Sequence, residues 1–224
     1  MLIRTLIDTA ELPGGGGTLR LMQRGSEYSI MLGSNELMNS RVKGSEEALA
    51  TLAAARMSGG KSARVLIGGL GMGFTLRAAL NAIGPDAVVV VAEVVPAVIE
   101  WARGPLAELF GSSLDDPRVD VRIADVGTLI GQAAGQYDAI LLDVDNGPDG
   151  LTLNSNDRLY NRSGVRTALA ALQPGGVLAV WSVAPHAIFA QRLVNAGFEV
   201  EEQVVRTNAG RGARHIVWLA KKAG

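Results

Sequence analysis

The stretch VLIGGLGMGFTLRAAL, residues 65–80, decides the fold. Val65, Leu66 and Ile67 make an apolar run of the kind buried as a strand, and residues 75–80 have the amphipathic spacing that opens a helix. Gly69, Gly71 and Gly73 lie between them at alternate positions. Glycine there lets the chain turn sharply and lets a ligand approach the backbone at a helix N-terminus, where a Cβ would block both. The plainer reading of such a turn is helix–sheet packing alone.

The residues beyond the turn favour a ligand. A second apolar run, VVVVAE, ends in Glu93 about 20 residues beyond the last glycine, the spacing expected of a carboxylate that grips ribose hydroxyls. The glycine pattern is G-x-G-x-G and departs from the dinucleotide fingerprint G-x-G-x-x-G, because Phe74 and Leu76 stand where the last glycine would fall. The spacing therefore points to an adenosine-bearing ligand other than NAD.

A chain of 224 residues can bury one sizeable core with a small addition. Its net charge is -1 and its basic residues are scattered, so there is no electrostatic footprint for nucleic acid. The absence of cysteine excludes a disulfide framework, a thiolate nucleophile and a cysteine zinc site. His186 and His215 lie far apart in sequence, and no metal site is expected. No apolar run approaches the length of a membrane span and the start lacks the core of a signal peptide, so a cytoplasmic protein is expected.

Two domains are expected, a small β unit over residues 1–43 and a nucleotide-binding domain over residues 44–224. In the first, alternating segments at residues 2–7, 18–23, 27–32 and 36–42 are punctuated by glycine turns and read as antiparallel strands. Ser45 offers an N-cap, with Glu46 and Glu47 in the first turn, for a helix to about Met57. From Lys61 strand and helix alternate, the signature of a mostly parallel sheet covered on both faces. Gly104 and Pro105 should interrupt the helix that begins at Pro96. Residues 198–205 and 215–220 are close enough to form a hairpin, which makes one strand near the C-terminus antiparallel.

Ligands of an open α/β sheet bind outside the carboxyl ends of its strands. Glu93, Asp125 and Asp143 each fall at or just beyond such an end. Singly, Asp125 reads as a helix N-cap, Glu93 as a strand-end charge and Asp143 as an Asx-turn residue. Together, beside the glycine turn, they read as a site. Asp145, Asp149 and Asp157 add negative potential suited to a cationic substrate such as an amine, or form a solvated acidic loop. Tyr160 either orients a substrate or packs, and His186 either acts as a base or begins a helix. Trp101, Trp181 and Trp218 read as fillers, with Trp181 nearest the rim.

The set GGLGMG, VVVAE, IAD, YDAILLD and LQPGG resembles the class I S-adenosylmethionine-dependent transferases, and within them the spermidine synthases. The resemblance runs over residues 36–183. It implies a Rossmann-like α/β fold with a mostly parallel seven-stranded sheet, one antiparallel strand and a preceding β unit. By position, Gly69, Gly71, Met72 and Gly73 would line the sulfonium nucleoside, Glu93 with Val94 would take the ribose, and Asp125 with Val126 the adenine. Asp143 would deprotonate the attacking amine with Tyr160 as the second catalytic candidate, and Glu46, Asp145 and Asn146 would contact the acceptor.

The chain also departs from that family. Met72 stands where the family has an aspartate that holds the donor's amine, and a thioether cannot replace that charge. Ser45 and Glu46 replace an aromatic and a His or Gln. The expectation is a homodimeric transferase that uses S-adenosylmethionine or its decarboxylated form, leaning to the methyl donor because of Met72. The alternatives are a true aminopropyltransferase and a non-catalytic nucleoside-binding protein.

Overall fold

The computed structural model describes residues 3–58, 60–144, 147–148, 156–208 and 211–224. Strands β1 (Thr5–Glu11), β2 (Thr18–Arg24), β3 (Glu27–Leu32) and β4 (Asn35–Asn39) pair in sequence order as a four-stranded antiparallel sheet. The first strand lies later than residues 2–7. Leu12 N–H closes on the Gly17 carbonyl at 2.8 Å, and this tight loop after Glu11 places Ala10 opposite Leu19. Leu6 and Ile7 are left exposed on the edge strand.

Strand and helix then alternate through α1 (Gly44–Ala54), β5 (Arg64–Gly68), α2 (Phe74–Ala82), β6 (Val88–Glu93), α3 (Pro96–Arg103) and α4 (Ala107–Phe110). The chain continues with β7 (Val119–Ile123), α5 (Val126–Gly131), β8 (Tyr137–Leu142), α6 (Asp157–Tyr160) and α7 (Arg162–Ala171). The last elements are β9 (Leu172–Ser182), α8 (Ala187–Ala196), β10 (Phe198–Asn208) and β11 (Arg211–Lys222). The break at Gly104 and Pro105 separates α3 from α4 as expected. Pro174 and Gly175 lie inside β9, where the register against β8 shifts.

Seven strands form the main sheet in the order β10-β11-β9-β8-β5-β6-β7, with β11 antiparallel to both its neighbours. A strand's side chains alternate between faces, and the buried residues divide accordingly. Val65, Ile67, Val89, Val91, Ala139 and Leu141 join α1, α2, α3 and the N-terminal sheet in one apolar cluster. Leu66, Val90, Ile140, Leu142, Val180 and Trp218 join α5, α7 and α8 in the other. The small sheet is part of the first cluster through Leu12, Leu19, Leu21 and Ile30. Trp101 Nε1 on α3 donates to Asp8 Oδ2 on β1 at 2.7 Å and ties the two sheets across their margin.

Helix α1 begins earlier than the sequence suggests. Lys43 is its N-cap residue, without a side-chain cap bond, and Ser45 is fully buried within the first turn. A Cβ on Gly44 would lie 2.9 Å from the carbonyl oxygens of Arg206 and Thr207. The helix start therefore abuts β10 and turns Ser45 inward, where its hydroxyl serves other partners.

Candidate active site

The strand order fixes a row of carboxyl ends. From β8 across β5 and β6 to β7, the chain leaves the sheet at Asp143, the glycine turn, Glu93 and Asp125. Because β5 is flanked by β6 on one side and β8 on the other, the turn after it lies where the chain direction splits, the place where open sheets form a crevice. The backbone pins this rim. Gly69 N–H donates to the Ala92 carbonyl at 2.9 Å, and Asp143 N–H donates to the Gly68 carbonyl at 3.1 Å.

The glycines are needed here. Gly69 has φ +89, and a Cβ on it would lie 2.6 Å from the Asp143 carbonyl oxygen, so only glycine lets β5 and β8 release the chain side by side. Gly73, at φ +74, precedes α2 as its N-cap residue and lies against the Phe110 ring. Gly71 is covered by Met38 of β4, whose sulfur would lie 3.0 Å from a Cβ there.

The cleft above this rim has an empty volume of about 1210 Å³, its open mouth included. Gly69, Gly71, Met72, Gly73, Glu93, Val94, Asp125, Val126, Asp143 and Glu46 all line it, which brings together most of the residues expected from sequence. The expected acceptor contacts Asp145 and Asn146 lie outside the described residues. Leu12, Leu19, Ile30 and Met38 of the N-terminal unit and Trp181 of β9 complete the walls. The sequence reading missed the N-terminal contribution, since alternating strands announce a sheet but not what it covers.

Glu93 is 7 % exposed. Its Oε2 accepts from Leu70 N–H at 3.0 Å and its Oε1 from Val95 N–H at 2.9 Å, so the carboxylate braces the glycine turn from below. Burial raises its pKa, and the backbone N–H groups of Leu70, Val95, Val94 and Gly71 oppose that rise. Asp125 is the N-cap that its plainer reading expected and also borders the cleft. Its Oδ1 caps α5 by accepting from Thr128 N–H at 2.8 Å.

Asp143 is half-buried at the end of β8. Thr75 Oγ1 donates to its Oδ2 at 2.5 Å. Burial, followed by the nearby Glu46 charge, pushes the Asp143 pKa up to about 7 against the opposing Thr75 hydrogen bond. The Glu46 pKa is also raised, by burial first, with the Ser45 hydroxyl at 2.7 Å from Oε2 opposing. Two mutually repelling carboxyl groups thus face one cavity, an arrangement that favours a shared proton or a cation between them.

Tyr160 is a correction to the expected pair of catalytic residues. It is 2 % exposed, packs edge-on against Phe189 with ring centroids 5.6 Å apart, and lies outside the cleft lining. Its hydroxyl donates to the Val144 carbonyl at 3.3 Å, which supports the chain just beyond Asp143 from behind. His186 is the N-cap of α8, with Nδ1 accepting from Phe189 N–H at 3.0 Å, and it too lies outside the lining. Among the described residues no three His, Cys, Asp or Glu side chains are grouped so as to hold a metal ion.

The strand order, the glycine turn and the acids at the strand ends define a Rossmann-like α/β protein with its cleft at the switch point of the sheet, where such folds bind ligands. The spermine/spermidine synthase domain matches residues 43–196, and the chain belongs to that family. It is 38% identical over 125 residues to a polyamine aminopropyltransferase of Mycobacterium tuberculosis, a match covering 54% of this chain and 23% of that protein. It is 38% identical over 128 residues to polyamine aminopropyltransferase 1 of Streptomyces coelicolor, covering 56% and 23%. The match thus spans about a quarter of the length of these relatives.

In three dimensions the chain resembles the spermidine synthase of Thermotoga maritima, with TM-score 0.79 and 19% identity over 97% of this chain and 73% of that one. It also resembles a spermidine synthase in complex with the transition state analogue AdoDATO, with TM-score 0.80 and 19% identity over 97% and 74%. These likenesses establish the shared fold.

Proposed function

We propose that the chain is a transferase that moves an aminopropyl group from decarboxylated S-adenosylmethionine to a small amine acceptor. One observation carries this reading: among its described residues the cleft is lined by Glu46, Glu93, Asp125 and Asp143 and by no Lys, Arg or His. A donor that keeps its carboxylate meets four acids and no side-chain cation, whereas a donor and acceptor bearing only amines are attracted. The names of the relatives agree with it, and the lean toward a methyl donor gives way.

The residues fit a sulfonium nucleoside. Gly69, Gly71 and Gly73 bring the backbone of the turn to the cleft lining, Glu93 would take the ribose, and Asp125, Val94 and Val126 the adenine. The sulfonium supplies a carbon activated for displacement. The acceptor nitrogen forms the new N–C bond as the C–S bond breaks, its electron pair goes to sulfur, and the nitrogen's proton goes to Asp143. A carboxylate with a pKa near 7 is matched to that task at neutral pH, and the Glu46 charge helps hold the cationic acceptor. Alignment in a largely apolar cleft supplies the rest.

Met72 supports a second reading. It is 3 % exposed, lines the cleft and offers no charge to a donor's amine, which suits a methyl donor whose amine is offset by its own carboxylate. Calorimetric titration with both donors, and mass spectrometry of reactions containing a diamine, separate the two. Tighter binding of the decarboxylated donor and release of methylthioadenosine are expected. Tighter binding of intact S-adenosylmethionine with release of S-adenosylhomocysteine would establish the methyl donor, and binding without turnover a nucleoside-binding protein. A cytoplasmic homodimer belongs to the same proposal, with exposed Ile3, Leu6 and Ile7 as the candidate apolar surface, and sedimentation tests it.

A further inference from the structure

His215 stands behind the cleft wall on β11 and takes no part in the proposed transfer. Its Nδ1 is 3.0 Å from Ser45 Oγ, and its ring meets Trp181 edge-on with centroids 4.6 Å apart. Ser45 Oγ is in turn 2.7 Å from Glu46 Oε2. Glu46 and Trp181 both line the cleft, so this one imidazole braces two of its walls.

The proton count gives the chain a direction. A hydroxyl carries a single proton, and an ionised carboxylate can only accept. When Ser45 donates to Glu46, its oxygen can only accept from the imidazole, which must then hold its proton on Nδ1. Burial lowers the His215 pKa, which favours the neutral ring with one proton. His186 is wired the opposite way: its Nδ1 accepts from Phe189 N–H, so in the neutral ring the proton is on Nε2.

We propose that His215 is a positioning residue for the acceptor site: its Nδ1–H donates to Ser45, Ser45 donates to Glu46, and the Glu46 carboxylate is thereby held in the cleft beside Asp143. The role rests on the proposed amine acceptor, while the wiring does not. Asp143 receives the same support in a single step from Thr75. Each carboxylate has one oxygen tied by a hydroxyl, which leaves the other for a cation. The residue types at Ser45 and Glu46, where the family carries an aromatic and a His or Gln, are thus parts of one substitute arrangement with His215 behind it.

Two measurements test this. Long-range 1H–15N NMR of the full chain at neutral pH reads the tautomers of its two histidines, with Nδ1–H expected at His215 and Nε2–H at His186. Kinetics with putrescine then compare His215→Phe, His215→Asn and Ser45→Ala. Loss of the hydrogen bond to the Glu46 carboxylate in Ser45→Ala, and of the donor that orients Ser45 in His215→Phe, should each raise KM for putrescine roughly tenfold, with methylthioadenosine affinity unchanged. His215→Asn places a donor near the Nδ1 position and should recover KM to within about twofold of the parent. Ser45→Ala carries the kinetic test if His215→Phe does not fold.

An Nε2–H tautomer at His215 overturns the proposal whatever the activity, as does an unchanged KM in both Ser45→Ala and His215→Phe. An Nδ1–H tautomer in a protein that neither binds nor converts putrescine overturns the proposed function and upholds the wiring.

Discussion

Thr75 Oγ1 donates a 2.5 Å hydrogen bond to Asp143 Oδ2, joining the first turn of the helix after the glycine loop to the end of β8. The bond favours the ionised carboxylate, while burial and the Glu46 charge disfavour it. In Thr75→Val that support is gone and the Asp143 pKa moves further up. The acid limb of the pH profile of kcat/KM should then shift to higher pH. Asp143→Asn should abolish turnover while sparing nucleoside affinity, as read by calorimetry, and undiminished turnover would remove Asp143 from the mechanism.

The same carboxyl group makes stability depend on pH. Between the ordinary aspartate value of 3.8 and about 7, the folded chain keeps a proton that the unfolded chain has lost, so stability falls as pH rises through that window. Glu46, also raised, acts in the same direction. Asp143→Asn removes the buried charge and should raise Tm at pH 8 by about 2–4 °C for each kcal/mol of desolvation relieved. At pH 5 the parent is already protonated and the two melting curves should nearly coincide. Equal differences at both pH values would show that Asp143 is not desolvated.

Much of this arrangement could be read directly from residue order. Continuous apolar runs in β5, β6 and β8 set the sheet, and the glycine turn with Glu93, Asp125 and Asp143 located the rim, because strand ends and tight turns are local properties. What escaped was set by distant chain. Ser45 reads as a cap until β10 presses on Gly44 and turns the hydroxyl inward, and its partner His215 is 170 residues away. Tyr160 comes after an acidic loop in sequence, but Phe189 on α8 draws its ring into the core. The role of Leu12, Ile30 and Met38 as cleft wall depends on how one sheet docks on the other, which no local pattern encodes.

Gly69→Ala isolates the rim's backbone geometry. The residue has φ +89 and its Cβ would lie 2.6 Å from the Asp143 carbonyl oxygen, so the substitution both strains the turn and pushes β8 from β5. A cost of about 1–3 kcal/mol in chemical denaturation is expected from the strain alone. Nucleoside affinity should fall at least ~10-fold, because the Leu70 N–H that donates to Glu93 belongs to the same turn. Unchanged nucleoside affinity would place the ligand away from the turn.

Met72 bears on which donor the cleft prefers, and a single substitution measures its weight. It lines the cleft, and the sequence resemblance implies that it stands in place of an aspartate that holds the donor's amine. In Met72→Asp the decarboxylated donor gains a partner for its ammonium. Intact S-adenosylmethionine gains the same partner and brings its own carboxylate into a cleft that already holds Glu46 and Asp143. The variant should therefore favour the decarboxylated donor by roughly tenfold more than the parent does, the ratio expected of one charged hydrogen bond. The new acid is itself buried, so the ligand-free variant should melt lower than the parent at pH 8, where it is ionised, and regain part of the loss when decarboxylated donor is added. Equal tightening toward both donors would show that a charge at position 72 holds the amine common to both and carries no weight in the choice, and no tightening toward either would place Met72 outside the reach of the donor's amine.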